Sequence, residues 1–294
     1  MPIHELAALG AALCWAVTGT IVSGPLRLMG AQRFNRLRGW MVVAALALIV
    51  LAGGRWAGFQ HAWVLALAAS GIVGIMLGDT FNYAAVDRLG PRRAGAVFAL
   101  NAPMAALLGW AALDETLVPQ AALGIAVTVA GVAIAVLGRR PVRLHRLEQT
   151  TGALWVGVGA GLLAALGQAA GSLIARPVMA AGADPYAASL IRVAVSALAL
   201  TAMMGLRSEP PVGRIPPAAW ALTAATAAIG LLLGMTLLLF ALQGGKVGIV
   251  STLSATSPVL ILPLLWLRTG QPPTGASWAG AAVAVAGLAL IFLR

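Results

Sequence analysis

The chain has 294 residues, of which 61% are hydrophobic and only 9% are charged. This composition lies far outside that of soluble globular domains, and the apolar residues occur in runs long enough to cross a bilayer. The net charge of +11 comes from arginines scattered over short loops, without the interleaved aromatic residues of a nucleic-acid-binding surface. A single cysteine, Cys14, excludes an internal disulfide and a thiolate metal cluster.

The breaks made by Arg, Pro, Gly and Asp divide the chain into ten apolar spans. Each span must satisfy its backbone hydrogen bonds internally and none has the alternating pattern of a barrel strand, so all ten are predicted to be α-helices. The predicted spans are residues 4–23, 36–53, 62–85, 94–112, 118–138, 152–173, 186–205, 218–241, 247–267 and 274–293. We therefore expect an all-α integral membrane protein with ten transmembrane helices.

The first span and its counterpart, the sixth, carry polar or aromatic side chains that are candidates for the walls of a substrate cavity. They are Trp15, Thr18, Gln168 and Ser172. The alternative is that the tryptophan anchors the helix at the interface and that the hydroxyl groups bond to their own helix.

The second and seventh spans begin with an arginine in corresponding places, Arg38 and Arg192. We expect both side chains to extend to the membrane interface. The alternative is that they bind an anionic group or pair with a carboxylate of the third span.

That carboxylate, Asp79, lies well inside the third span, where a charge costs roughly 2.5 to 3.5 kcal/mol on insertion scales. Asn82 and Tyr83 follow at i+3 and i+4, so all three share a helix face. This face is a candidate proton-accepting or amine-binding site. The alternative is a structural carboxylate held by an arginine or by the backbone at a kink.

Matching prolines, Pro103 and Pro258, interrupt the fourth and ninth spans. Each removes a hydrogen bond, to the carbonyl of Ala99 or of Ser254, and should kink its helix. Carbonyls freed inside a membrane need partners, so the kinks are candidate cavity linings. The polar candidates beside them are Asn101, Thr256 and Ser257.

Glycines recur in both halves at spacings that let helix backbones approach closely. The pairs are Gly74 and Gly78, Gly124 and Gly131, Gly230 and Gly234, and Gly280 and Gly287. We predict that all of them serve helix packing. The glycines of the fifth and tenth spans predict that these two helices pack against each other.

The sequence contains an internal duplication. Residues 126–137 (AVTVAGVAIAVL) return 156 residues later as residues 282–293 (AVAVAGLALIFL), with seven of twelve positions identical. This predicts two repeats, residues 1–138 and 152–294, joined by a loop at 139–151. Because each repeat holds five spans, an odd number, the second enters the membrane from the opposite face. Inverted repeats of this kind are typical of transporters that expose a central site alternately to the two sides.

The first half also carries a series of motifs that resembles one EamA repeat of the drug/metabolite transporter superfamily. The motifs are residues 78–85 (GDTFNYAA), 89–94 (LGPRRA), 101–103 (NAP) and 114–117 (DETL). In the second half the likeness continues through Arg192, residues 257–258 (SP) and the glycines of the last span, but residues 114–115 (DE) are replaced by 269–270 (TG). The resemblance implies ten helices, a central cavity and export of small solutes such as amino acids, other metabolites or drugs.

Orientation follows from the loops. The loops after odd-numbered spans hold fourteen arginines, against four or five basic residues on the other side. The positive-inside rule places the arginine-rich loops in the cytoplasm and both termini outside. Members of the EamA family usually have cytoplasmic termini, so the resemblance implies the opposite orientation.

Together these features predict a secondary active transporter of the inner (plasma) membrane that exports small metabolites by alternating access, coupled to protons. The alternative function is a lipid or lipid-linked-precursor flippase. The expected partners are a small-molecule substrate, protons and membrane lipids, with no nucleic acid, and the protein is expected to be a monomer or a homodimer. No phosphate-binding loop occurs in the sequence. We expect no cofactor, no metal and no enzymatic activity.

Overall fold

The computed structural model describes residues 3–56, 58–113, 119–137, 152–205, 213–244, 250 and 253–292. All regular elements among these residues are helices, and no strand occurs among them. Six helices are long and apolar enough to cross a membrane. They are Ile3–Ile21, Ala31–Ala52, Ala62–Leu89, Leu154–Ala180, Pro185–Gly205 and Pro217–Gly244. The prediction of an all-α, multi-pass membrane protein is confirmed for the described part of the chain, while the arrangement of ten helices as two inverted sets of five stays a prediction.

The first half forms helices α1 to α8. Their bounds are α1 Ile3–Ile21, α2 Ser23–Met29, α3 Ala31–Ala52, α4 Ala62–Gly71, α5 Gly78–Leu89, α6 Pro91–Phe98, α7 Asn101–Leu113 and α8 Pro119–Leu137. Helices α4 and α5 are continuous through a π-helical stretch, Ile72–Leu77. Gly30 and Gly90, which adopt φ of 76° and 79°, let the chain turn sharply between α2 and α3 and between α5 and α6.

The second half forms helices α9 to α14. Their bounds are α9 Leu154–Ala180, α10 Pro185–Gly205, α11 Pro217–Thr226, α12 Met235–Gly244, α13 Ser257–Thr269 and α14 Gly275–Phe292. A second π-helical stretch, Ala227–Gly234, joins α11 to α12 at the position that corresponds to the first one. Residues 139–151, the predicted connecting loop, lie outside the described residues.

The molecule has two ends. We call arginine-rich the end at which α1 finishes and α3 begins. Its described arginines outside the interior are Arg27, Arg33, Arg36, Arg88, Arg92, Arg93, Arg214 and Arg268. At this end Arg268 of α13 donates a hydrogen bond to the carbonyl of Thr20. At the opposite end Arg55 pairs with Asp184 at 3.1 Å, and the Gln243 amide donates to the carbonyl of Ala183 at 2.7 Å.

The opposite end is closed by a large apolar cluster, which we call the opposite-end cluster. Helices α1, α3, α4, α9, α10 and α12 contribute to it. Its members include Ala8, Leu46, Leu67, Met179, Leu231 and Leu239, each no more than 1% exposed. A second cluster, around Phe34, Leu89 and Val97, lies toward the arginine-rich end.

The two π-helical stretches pack against the first helix of the other half. Gly74 lies against α9, where a methyl group on Gly171 would come 2.7 Å from its Cα atom. Gly230 lies against α1, where an added methyl group would come 3.0 Å from Cγ2 of Thr18. Such close approach requires glycine at both crossings.

Helices α8 and α14 contact each other through the glycines that the sequence singled out. A methyl group on Gly131 would lie 2.8 Å from the carbonyl oxygen of Gly280, and one on Gly287 would lie 2.7 Å from that of Gly124. Backbone therefore contacts backbone along this pair.

Candidate functional site

A cavity of about 960 Å³ lies between the two halves, on the side of the arginine-rich end. Among the described residues, members of seven of the predicted spans line it, and those of α8, α10 and α14 do not. From the first half its lining is Trp15, Ala16, Thr18, Gly19, Val22, Arg38, Asp79, Asn82, Tyr83, Val86, Pro91, Gly95, Phe98, Ala99 and Asn101. From the second half it is Gln168, Thr226, Gly230, Leu231, Met235, Ser254, Ala255, Ser257, Pro258 and Ile261. The exposed wall area is mainly apolar, with polar side chains contributed by both halves, as in sites for small organic ligands.

Most of the candidate residues from the sequence meet at this cavity. Trp15, Thr18, Asp79, Asn82, Tyr83, Asn101, Gln168, Ser257 and Pro258 line it. Ser172, Thr256 and Pro103 are not part of its lining. Ser172 lies one turn along α9 and contacts the Gln168 amide at 3.5 Å, whereas the Thr256 hydroxyl donates to the carbonyl of Leu253 at 2.6 Å.

Both proline-containing segments are interrupted at matching places. The chain leaves the helix at residues 99–100 before α7 and at residues 255–256 before α13. The Ser257 hydroxyl donates to the carbonyl of Ser254 at 3.0 Å, which supplies the partner that Pro258 cannot. In the first half the Asn101 amide instead donates to the carbonyl of Phe98 at 2.7 Å, and Ala99 accepts from the amide of Ala102 at 3.4 Å.

The π-helical stretches also have carbonyls that side chains satisfy. The Trp15 indole donates to the carbonyl of Gly230 at 3.2 Å, and the Asn35 amide donates to that of Ile75 at 3.3 Å. Trp15 therefore lies in the interior rather than at the interface, while Thr18 bonds its own helix through the carbonyl of Trp15. The first stretch is therefore held by α3 and the second by α1.

An ion pair occupies the floor of the cavity, where a guanidinium nitrogen of Arg38 donates to a carboxylate oxygen of Asp79. The two side chains are only 5% and 15% exposed. The guanidinium also lies over the Tyr83 ring, 4.9 Å from its centroid. The expectation that Arg38 extends to the interface is wrong, because α3 begins five residues before the predicted span and places Arg38 two turns inside.

Arg192 is buried more deeply still, at 0% exposure. One terminal nitrogen contacts the sulfur of Met235 at 3.3 Å, while Nε and the other terminal nitrogen have no hydrogen-bond partner among the described residues. The expectation of an interfacial position is wrong for this arginine too. Gly71 and Gly74 allow α4 and the first π-helical stretch to close over it, since an added methyl on Gly71 would lie 2.8 Å from the Cα atom of Arg192.

The two arginines are therefore the functional candidates whose place the sequence misjudged. Each is the eighth residue of its helix, α3 or α10. This shared position, two turns from the helix start, emerges only with the structure, because α3 begins before the predicted span. In the described part of the chain, no group of three or more His, Cys, Asp or Glu side chains is placed to hold a metal ion.

Comparison with known proteins identifies the family. The sequence matches the EamA-like transporter family twice, over residues 3–137 and 155–293. No curated protein matches it. Among solved structures 29 chains match, and one of them, described only as the crystal structure of a protein, aligns over 99% of this chain and 96% of its own with a TM-score of 0.72 and 20% identity. That likeness concerns the fold alone. The two family matches cover nearly the whole chain and confirm the resemblance seen in its motifs, so the chain belongs to the EamA-like transporter family.

Proposed function

We propose that this transporter is a secondary active exporter of small metabolites that works by alternating access in the inner membrane. The observation that carries the proposal is the cavity of about 960 Å³, which takes its walls from both halves. Its lining combines polar side chains from both halves with apolar walls, which suits a small amphiphilic solute such as an amino acid or a small drug. Two inverted sets of five helices would let one half rock against the other around this site.

The packing of the two ends supports the same mechanism. The cavity lies toward the arginine-rich end, while the opposite-end cluster fills the other end with buried apolar side chains. The present conformation is thus proposed to be open to one side only. The π-helical stretches and the proline interruptions lie beside the cavity, where irregular backbone gives a helix a place to bend.

Proton coupling is the proposed source of energy, and Asp79 is the proposed site. Among the described residues that line the cavity it is the acidic one. In vesicles that contain equal amounts of folded protein, a pH gradient should drive solute flux through the wild type and not through Asp79→Asn. Equal flux in both would remove Asp79 from the coupling step.

Alternating access can be tested without knowing the substrate. Cys14 is the single cysteine of the chain, so a Cys14→Ala background leaves no reactive thiol. Into it we would place Ser257→Cys, at the cavity wall, and label oriented membrane vesicles with a membrane-impermeant maleimide from each side in turn. A transporter that alternates exposes this thiol to both sides.

The matched control is Ser189→Cys, which is a buried serine of α10 outside the cavity lining. It should stay unlabelled from both sides. Labelling of the Ser257 position from one side alone, under all conditions, would contradict alternating access. A second cavity position, Gly95→Cys, checks the result, since a Cβ atom there meets no atom within 4 Å.

A further inference from the structure

Three charged side chains lie at the centre of the molecule: Arg38, Asp79 and Arg192. Two of them, Arg38 and Asp79, form the ion pair at the cavity floor. Arg192 interacts electrostatically with the same carboxylate, but its hydrogen bond goes to the sulfur of Met235. The sum of the three formal charges is +1.

The duplication explains why one charge is left over. Arg38 and Arg192 occupy the eighth position of α3 and of α10. Both halves contain two glycines four residues apart. The residue that follows the second glycine is Asp79 in the first half, after Gly78, and Met235 in the second half, after Gly234. The second half thus contains the arginine of the pair without its carboxylate.

A guanidinium without a counter-ion is costly inside a protein, where the effective penalty is several kcal/mol per ion. A thioether sulfur is a weak acceptor and does not compensate for the charge. The Asp79 carboxylate is already engaged by Arg38. The buried and unpartnered nitrogens of Arg192 therefore point to an anion that joins the site.

We propose that Arg192, together with Arg38, binds the anionic group of the transported solute, and that the substrate class is a small monocarboxylate with an apolar body. The proposal rests on the transport function proposed above. A planar guanidinium binds a carboxylate through two parallel hydrogen bonds. One negative charge neutralises the site, whereas an amine would add a positive charge to one that already carries an excess.

The cavity offers a route to Arg192 and a place for the apolar body. Met235 lines the cavity and also contacts Arg192, so movement of this flexible side chain connects the two. The apolar walls of the cavity include Val22, Phe98 and Ile261. The carboxylate would thus point to the floor and the apolar body toward the mouth of the cavity.

The test uses three ligands of one shape and different charge: 3-phenylpropionate, its neutral amide and 3-phenylpropylamine. Purified full-length protein in an uncharged detergent is titrated with each at constant pH and ionic strength, and thermal stabilisation is recorded. We expect the carboxylate to stabilise the wild type at concentrations at least about tenfold lower than the amide, because a charge-assisted bond adds this much. The amine should be weakest.

The variant Arg192→Met should raise the half-saturating carboxylate concentration about tenfold and leave that of the amide unchanged. The matched control, Arg214→Met, removes an exposed arginine and should bind like the wild type. If Arg192→Met does not fold, Arg192→Lys keeps the charge but lacks the planar fork, and should weaken carboxylate binding alone. Binding of the amide or amine as tight as that of the carboxylate, no binding of any of the three, or an unaffected Arg192 variant would each overturn the proposal.

The outcome is separable from that of the transport proposal. Two-sided thiol labelling without carboxylate binding would refute the anion site and leave alternating access standing. Carboxylate binding with one-sided labelling would refute alternating access and leave the anion site standing.

Discussion

Removing the carboxylate from the central charge cluster should destabilise the fold more than removing its arginine partner does. In the wild type the Asp79 carboxylate interacts with two cations, Arg38 and Arg192. The change Asp79→Asn leaves both cations buried without an anion. The change Arg38→Met leaves one cation and one anion, Arg192 and Asp79, whose charges still attract each other.

The magnitudes follow from burial. The ion pair is 5% and 15% exposed, so it counts as buried, and breaking such a pair by removing one partner costs about 3 to 5 kcal/mol when the other charge is left uncompensated. This range applies to Asp79→Asn. For Arg38→Met we expect only the loss of a hydrogen bond to a charged group, about 1.5 to 3 kcal/mol, since Arg192 remains as a counter-charge.

The assay is equilibrium or thermal unfolding of the purified variants in one detergent, followed by tryptophan fluorescence. Asp79→Asn should unfold first, then Arg38→Met, then the wild type. The double variant Arg38→Met/Asp79→Asn should be more stable than Asp79→Asn alone, because it contains one uncompensated cation and not two. If Arg38→Met is as destabilising as Asp79→Asn, Arg192 does not share the carboxylate and the reasoning fails.

Four further predictions use other parts of the structure. Gly131→Val should lower the free energy of unfolding by about 1 to 3 kcal/mol, because it overpacks the α8–α14 contact. The control is Gly159→Val, where a Cβ atom meets no atom within 4 Å, and it should not lower the stability. Thermal unfolding of both variants checks this. Gly95→Phe should fill part of the cavity and abolish solute flux in vesicles at unchanged thermal stability, since a Cβ atom there enters open space. A reporter fused after Arg294 that is active only in the cytoplasm should stay inactive if the positive-inside rule decides the orientation, and activity would support the family's usual orientation. Protein reconstituted in liposomes should not translocate labelled phospholipid, and translocation would favour the flippase.

The helices were predictable because their signal is local. Runs of apolar residues between Pro, Gly and Arg gave the spans, and a paired glycine spacing gave the contact of α8 with α14. The start of α3 was not predictable in the same way. Gly30, with φ of 76°, allows the short α2 to be followed directly by α3 at Ala31. The polar residues that the sequence predicts to be a loop therefore form the first turns of α3. Arg38 is therefore interior because of a turn that precedes it by eight residues.

The burial of Arg192 depends on contacts distant in sequence. The predicted start of its span agrees with that of α10 to within one residue, yet the side chain is interior because Gly71 and Gly74 let α4 and the first π-helical stretch close over it. A glycine in an apolar run does not reveal which helix it will approach. The partner of Asp79 was likewise open, since any arginine near it in space could pair with it.

The predicted inverted arrangement would give the central charges a role in the proposed mechanism. In the present conformation Arg38 lines the cavity, and Arg192 lies behind Met235, among residues that belong to the opposite-end cluster. If the two halves exchange conformations, their corresponding residues exchange surroundings, so Arg192 becomes the cavity-lining cation when the opposite end opens. The carboxylate of a solute bound by both arginines would then face the open cavity beside Arg38 before the transition and beside Arg192 after it. Asp79 lies near both arginines and would pair with each of them in turn. The positive and negative charges in the interior would therefore stay nearly balanced during the transition.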